Sequence, residues 1–172
     1  VYLYMEEWDR AIEAANRAIK TAEGLTDYTT VEAGNQFYMT TYELSEVEWL
    51  FDMSITNFPF VSSGDLLSKY TSGDKRETLW FDANGSISKR AQKSGWGPNR
   101  TIRISEAYLN RAEALVLSQN ANIGEALADL NELRRHRIVG YQDISISDAT
   151  ILLGEIRVER RLELCFDGHR WF

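Results

Sequence analysis

One cysteine, Cys165, stands among 172 residues, so the chain cannot close a disulfide within itself and no redox compartment follows from it. No run of about 18 apolar residues occurs, which excludes a membrane-crossing helix within this sequence. Histidine is almost as scarce: His136 and His169 lie on different segments. Without a His-x-x-x-His or Cys-x-x-Cys spacing, no zinc site is expected. There is no Gly-x-Ser-x-Gly elbow, and Gly95-Trp96-Gly97 lacks the third glycine and the following lysine of a phosphate cradle. No cofactor is expected. Positive charge is in deficit, with a net of −7, which argues against a nucleic-acid partner. What is present, 44% apolar and 26% charged residues, suits a globular domain with a real core. Val1 opens on an apolar pattern and the chain closes on Arg170-Trp171-Phe172, so residues 1–172 read as one domain cut from a larger protein.

Lysine disappears altogether after residue 93. All ten bases from residue 100 onward are arginine: 100, 103, 111, 134, 135, 137, 157, 160, 161 and 170. An arginine-only set suggests forked, partly buried pairing with carboxylates.

Periodicity predicts a mainly α protein. Leu3 to Glu23 reads as a helix with Ala11, Ala15 and Ala18 on its inner stripe and Gly24 as its stop. Residues 35–57 alternate loosely, with a short strand within 48–55. Residues 58–100 hold both prolines and five glycines and read mostly as loop, with a short helix at Ser63–Tyr70 and a turn at Asn84-Gly85. From Ile102 the helical pattern is strong. Ile104, Tyr108, Ala112 and Leu115 form one stripe, with Leu109, Val116 and Leu117 beside it. After a turn, Ile123 to Arg137 presents Ala126, Leu130 and Leu133. Ser147 or Asp148 can cap a last helix running to about Phe166. The offsets 0, +4, +7 recur in Ala11/Ala15/Ala18 and Ala126/Leu130/Leu133, a pattern similar to the second helix of a tetratricopeptide (TPR) repeat and also open to any helical hairpin. The organisation expected is thus a helix over 1–23, a loop-rich region over 58–100 and TPR-like antiparallel helices over 102–166.

Two carboxylates fall on the apolar stripe of the last helix. With Leu152 at zero and about 100° per residue, Ile156 lies near 40° and Phe166 near 320°, with Glu159 near 340° and Glu163 near 20° between them. They are either an acid/base pair, as in glycoside hydrolysis, or the buried partners of arginines. The arginine-only composition favours the second, so no catalytic residue is expected. The run Arg134-Arg135-His136-Arg137 reads as a helix C-terminus, where cations offset the dipole.

Trp80 and Trp96 lie in the glycine-rich region. Each ring is either docked on its own core or offered to a ligand. Sugar rings stack on flat aromatics while Asn or Arg bonds their hydroxyls. Trp96, Trp80, Asn99 and Arg100 are therefore the candidate ligand-binding residues, with no metal ligand among them.

Arg103-Ile104-Ser105-Glu106-Ala107-Tyr108-Leu109-Asn110-Arg111-Ala112-Glu113-Ala114 resembles the R-x-x-E-x-x-L-x-x-A-E-A helix of the SusD/RagB-like family. Ala126 to Arg134 is similar to its A-L-x-x-L-N-x-x-R partner. Glu159-Arg160-Arg161-Leu162-Glu163-Leu164-Cys165-Phe166-Asp167-Gly168-His169-Arg170-Trp171-Phe172 resembles its E-R-R-x-E-L-x-F-E-G-x-R-W signature, with Asp167 in place of the usual Glu. Leu3 to Ile19 resembles an earlier family helix, and Ser63 to Arg76 its D-x-R segment, with Asp74 and Arg76 at the D and R positions. The resemblance implies a non-enzymatic binding protein of the outer-membrane surface, lipid-anchored through an N-terminal part absent from this chain. It implies an oligosaccharide ligand, or a peptide in some members, and a TonB-dependent, SusC-like transporter as partner. A TPR-like protein-interaction module is the other reading of the helices, and a glycosidase the other reading of the carboxylates.

Overall fold

The computed structural model describes residues 1–22, 24–31, 47–49, 61–85 and 99–165, with only the backbone described for 47–49 and 99–102. These residues are mainly helical: α1 (Trp8–Thr21), a 3-10 turn (Tyr28–Thr30), β1 (Val47–Trp49), α2 (Gly64–Leu67), α3 (Lys75–Trp80), β2 (Asn99–Ile102), α4 (Ile104–Leu117), α5 (Ile123–Arg135) and α6 (Ala149–Glu163). β1 and β2 form an antiparallel pair with Val47 opposite Ile102, Glu48 opposite Arg100 and Trp49 opposite Asn99. The register shifts between Val47 and Glu48.

α4 is the hub. It packs against α1, α5 and α6, as expected of a helix with apolar residues on neighbouring faces. Its Leu109, Ala112 and Leu115 meet Ala126, Leu130 and Leu133 of α5 and Leu152 and Ile156 of α6 in one apolar core. Alanine at 112 and 126, both fully buried, lets the α4 and α5 backbones approach closely. α5 starts on Asn122, whose Oδ1 accepts from the Glu125 N–H, and α6 on Asp148, whose carboxylate accepts from the Ile151 N–H at 2.9 Å. The connection between them is held by Asn131. Its Oδ1 accepts from the Tyr141 hydroxyl and the Ile144 N–H, and its amide donates to the Ile144 carbonyl.

A second apolar cluster lies beside the hub. Tyr28, Leu66, Tyr70, Leu79, Trp80 and Phe81 enclose Leu162 and Cys165 at the C-terminal end of α6. Gly73, at φ +88°, makes the turn into α3, and its carbonyl accepts from the Val139 N–H. A Cβ there would stand 3.1 Å from the Val139 carbonyl oxygen, so the site requires glycine on both counts.

Several sequence expectations change. α1 starts at Trp8 rather than Leu3, because the first six residues make a separate turn that ends with Glu6 at φ 59°. Ala11 and Ala15 are buried on α1, but Ala18 is exposed. The inner face runs from Ala11 through Ala15 toward Ile12, and Ala18 lies on the other side of Ala11, at the edge of that arc. The part of the 58–100 region that is described contains a helix, α3, where the glycine and proline content predicts loop. Its six residues are too few for a periodic signal. α6 ends at Glu163, short of Phe166. The rest of the expected 48–55 strand beyond Trp49, and residues 86–98, lie outside the described residues.

Candidate functional site

The chemistry of the described residues concentrates where α3, α5 and α6 meet the start of α4. Asp74 caps α3, its carboxylate accepting from the Arg76 backbone N–H at 3.0 Å and from the same residue's guanidinium at 3.0 and 2.7 Å. The far side of the Arg76 fork donates to Glu159 at 2.6 Å and to Glu163 at 3.0 Å. Glu159 also accepts from Arg134 Nε at 2.7 Å, and Arg134 reaches outward to Glu155 at 2.8 Å. Glu163 is the centre. Its two oxygens accept from Arg76, from Arg103 at 2.7 Å and from both sides of the Arg137 fork at 3.0 and 2.9 Å. Arg103 also donates to the backbone carbonyl of Glu163. Aromatic faces close the sides, with the Arg137 guanidinium 3.9 Å from the Tyr28 ring centre and that of Arg103 5.7 Å from Trp80.

The helical spacing of Glu159 and Glu163 brings both carboxylates to one level, and the arginines come from different elements. Arg76 stands on α3, Arg134 in the last turn of α5, Arg137 just beyond it and Arg103 just before α4. Burying such charges is costly unless every lone pair and N–H finds a partner. Here each fork is shared between partners, with Asp74 and Arg76 buried as completely as the glutamates.

Burial alone would push both glutamates up. The charges of Arg76 and Arg134 reverse this for Glu159, holding it below the usual carboxylate range. Arg137, Arg103 and Arg76 hold Glu163 well below it. Burial likewise works against the Arg76 cation, and Glu159 and Asp74 overcome it. Two carboxylates that stay ionised, sealed from solvent and saturated with arginine, have no proton to give a leaving group and no face open to a sugar. Glu159 and Glu163 are buried partners of arginines, the second of the two readings of the sequence.

Arginine pairing extends through the C-terminal half. Each of the eight arginines of that set whose side chain is described pairs with a carboxylate. Arg111 grips Asp129 in a fork at 2.8 and 2.5 Å, Arg157 and Arg160 share Glu113, Arg135 holds Asp143 and Arg161 reaches Asp65. Arg103, Arg134 and Arg137 complete the eight. The run at 134–137 therefore does more than offset a helix dipole: two of its arginines turn inward to the cluster.

The candidate ligand-binding residues separate. Trp80 is corrected: it ends α3 fully buried, its ring edge-on to Tyr28 at 6.0 Å between centroids, so no sugar can stack on it here. The ring is drawn inward because it covers the Arg103 guanidinium as well as apolar neighbours. Asn99 and Arg100 stand on β2, four and three residues before Arg103, which directly follows the last residue of the strand. Trp96 lies outside the described residues. Sequence reasoning paired Glu159 and Glu163 with arginine but missed which ones. Asp74-x-Arg76 and Arg103 carried the signal as family motif positions, without periodicity to say that they turn inward.

The SusD family model matches residues 67–172, a span that contains all the cluster residues. A search of curated proteins gives no match. Among solved structures, the fold is similar to a SusD-like carbohydrate binding protein from Bacteroides vulgatus, at TM-score 0.60 and 19% identity over 97% of this chain and 41% of that one. It is similar to a SusD-like protein from Bacteroides fragilis, at TM-score 0.65 and 16% identity over 99% of this chain and 52% of the other. A SusD superfamily protein from Parabacteroides distasonis aligns at TM-score 0.58 and 17% identity, over 95% of this chain and 46% of its own. The chain thus spans about half the length of these proteins or less. With the family match covering more than half of its residues, the chain belongs to the SusD family.

Proposed function

We propose that this chain is the C-terminal helical part of a longer cell-surface protein that binds an oligosaccharide for nutrient uptake and passes it on uncleaved. The family match over residues 67–172 carries the reading. The name of the Bacteroides vulgatus relative, a SusD-like carbohydrate binding protein, supports the ligand class. The sealed state of Glu159 and Glu163 supports binding over hydrolysis, because the pair that resembled glycosidase carboxylates is taken up by arginine. In this reading the protein sits at the outer-membrane surface, held by a lipid on its N-terminal part, and works with a TonB-dependent transporter.

Trp96, Asn99 and Arg100 are the proposed ligand contacts of this chain, the ring for stacking and the two polar groups for hydroxyls. A stacked, solvent-facing ring contributes about 1–3 kcal/mol at comparable base-stacking sites. Calorimetric titration of the full-length protein with the strongest oligosaccharide from a glycan array tests this. Trp96→Ala is expected to weaken binding roughly five- to 150-fold, with little change in Tm. A large loss of Tm with affinity unchanged would make the ring a core residue instead. Release of reducing ends from the bound glycan would overturn the non-enzymatic reading, and a peptide bound in preference to every glycan would change the ligand class.

A further inference from the structure

We propose that Arg103 is a positioning residue, which sets the place of β2 on the helical core through its bonds to Glu163. Its bearing on ligand affinity rests on the binding role of Asn99 and Arg100 proposed above; its bearing on β2 does not.

Arg103 holds the N-cap position of α4, directly after Ile102, the last residue of β2. Its φ of −122° and ψ of 152° continue the extended path of the strand up to the helix. A strand rises roughly 3.3 Å per residue, so Asn99 and Arg100 lie within about 14 Å of the Arg103 Cα. No joint separates them from it.

The identity of the residue is also informative. N-caps favour Ser, Thr, Asp and Asn, whose short side chains accept from the first free N–H groups. Ser63, Asp74, Asn122 and Asp148 do this for α2, α3, α5 and α6, while Glu7 of α1 does not. Arg103 makes no such bond. It sends its side chain inward instead, to the Glu163 carboxylate at 2.7 Å and to the Glu163 backbone carbonyl at the end of α6. The local capping rule is broken in exchange for a tie between β2 and the buried cluster.

Charge balance alone does not require that tie. Arg137 reaches both oxygens of Glu163, and Arg76 reaches one of them. What Arg103 adds is its place in the chain. Arg137 follows α5 and is attached to no strand, which makes it a matched control on the same carboxylate.

The test uses the full-length protein with Arg103→Gln and Arg137→Gln. The readout is hydrogen exchange of the backbone amides of 99–102, taken at a temperature well below either Tm. Arg103→Gln is expected to speed exchange at 99–102 by about tenfold or more, while Arg137→Gln lowers Tm and leaves those amides as they were. Affinity for the strongest array oligosaccharide should fall about tenfold in Arg103→Gln only, as expected when the strand that carries the two proposed contacts loses its tie. Should Arg103→Gln fail to fold, Arg103→Lys, which keeps the charge and loses the fork, serves in its place with the same rise in exchange expected. Unchanged exchange at 99–102 in the Arg103 variant, or an equal rise in the Arg137 variant, overturns the proposal. If the unsubstituted protein binds no oligosaccharide, the ligand reading fails, and the exchange result still decides the role of Arg103.

Discussion

The two halves of the described interior are held by different physics. Around α4 the core is apolar, with Leu130, Leu133, Leu152 and Ile156 almost completely buried and alanines at the close approaches. Beside it, where α3 and the chain before α4 join α6, Arg76 and Glu163 are as deeply buried as any leucine. Long helices can bury a stripe against one another. A six-residue helix and a residue between strand and helix have no stripe to offer. Beside the contacts of Leu79 and Trp80 with Leu162 and Cys165, their attachment uses forked hydrogen bonds, which are directional and join segments far apart in sequence, 83 and 87 residues in the case of Arg76. Apolar packing sets the hub, whereas the short segments attach through a small apolar cluster and a buried charge network together.

The largest expected effect tests the ionic half. Glu163→Gln leaves Arg76, Arg103 and Arg137 with one carboxylate fewer among them, and breaking a buried pair of this kind costs about 3–5 kcal/mol. Equilibrium urea unfolding should show that loss. A variant as stable as the parent would mean that the cluster is dispensable. In the apolar half, Leu152→Ala removes a fully buried side chain and is expected to cost about 2–5 kcal/mol by the same measurement. Unlike Glu163→Gln, it should keep its deficit unchanged between neutral and acid pH, because no titrating group is involved. The smallest effect separates burial from pairing itself. Arg161 bonds Asp65 at 2.6 Å, but Asp65 is 64% exposed, so Arg161→Ala should cost less than about 1 kcal/mol. A loss as large as that of Glu163→Gln would show that the pairing contributes without burial.

The hub was legible in the sequence because it repeats. Ala112, Leu115, Ala126, Leu130 and Leu133 recur at helical spacing, and Asp148 announces the start of α6. The inward carboxylates were legible as a conflict, acids on an apolar stripe, and the absence of lysine named their partners as arginines. Which arginines was not legible, because Arg76 and Arg103 lie on segments too short to show a period. Trp80 misled for the same reason. In a glycine-rich stretch nothing local says that the ring turns inward to cover Arg103 and Tyr28. Ala18 misled because a shared stripe does not say which way the buried arc extends: it runs from Ala11 toward Ala15 and Ile12, and Ala18 lies on the other side.

The central claim is that Glu163 is a permanently ionised structural centre. Its carboxyl resonance, followed by carbon-detected NMR through an acid titration, tests it most directly. Burial raises the glutamate pKa and the three arginines outweigh it, so the folded value lies well below the unfolded value of about 4.3. The stabilisation is then complete above about pH 4.3 and is lost as the pH falls through the lower folded value. The account predicts no titration of this resonance between neutrality and about pH 4.3, with protonation arriving only together with acid unfolding. A carboxyl that titrates near or above 4.3 in the folded protein would contradict it and return Glu163 to the candidates for proton transfer.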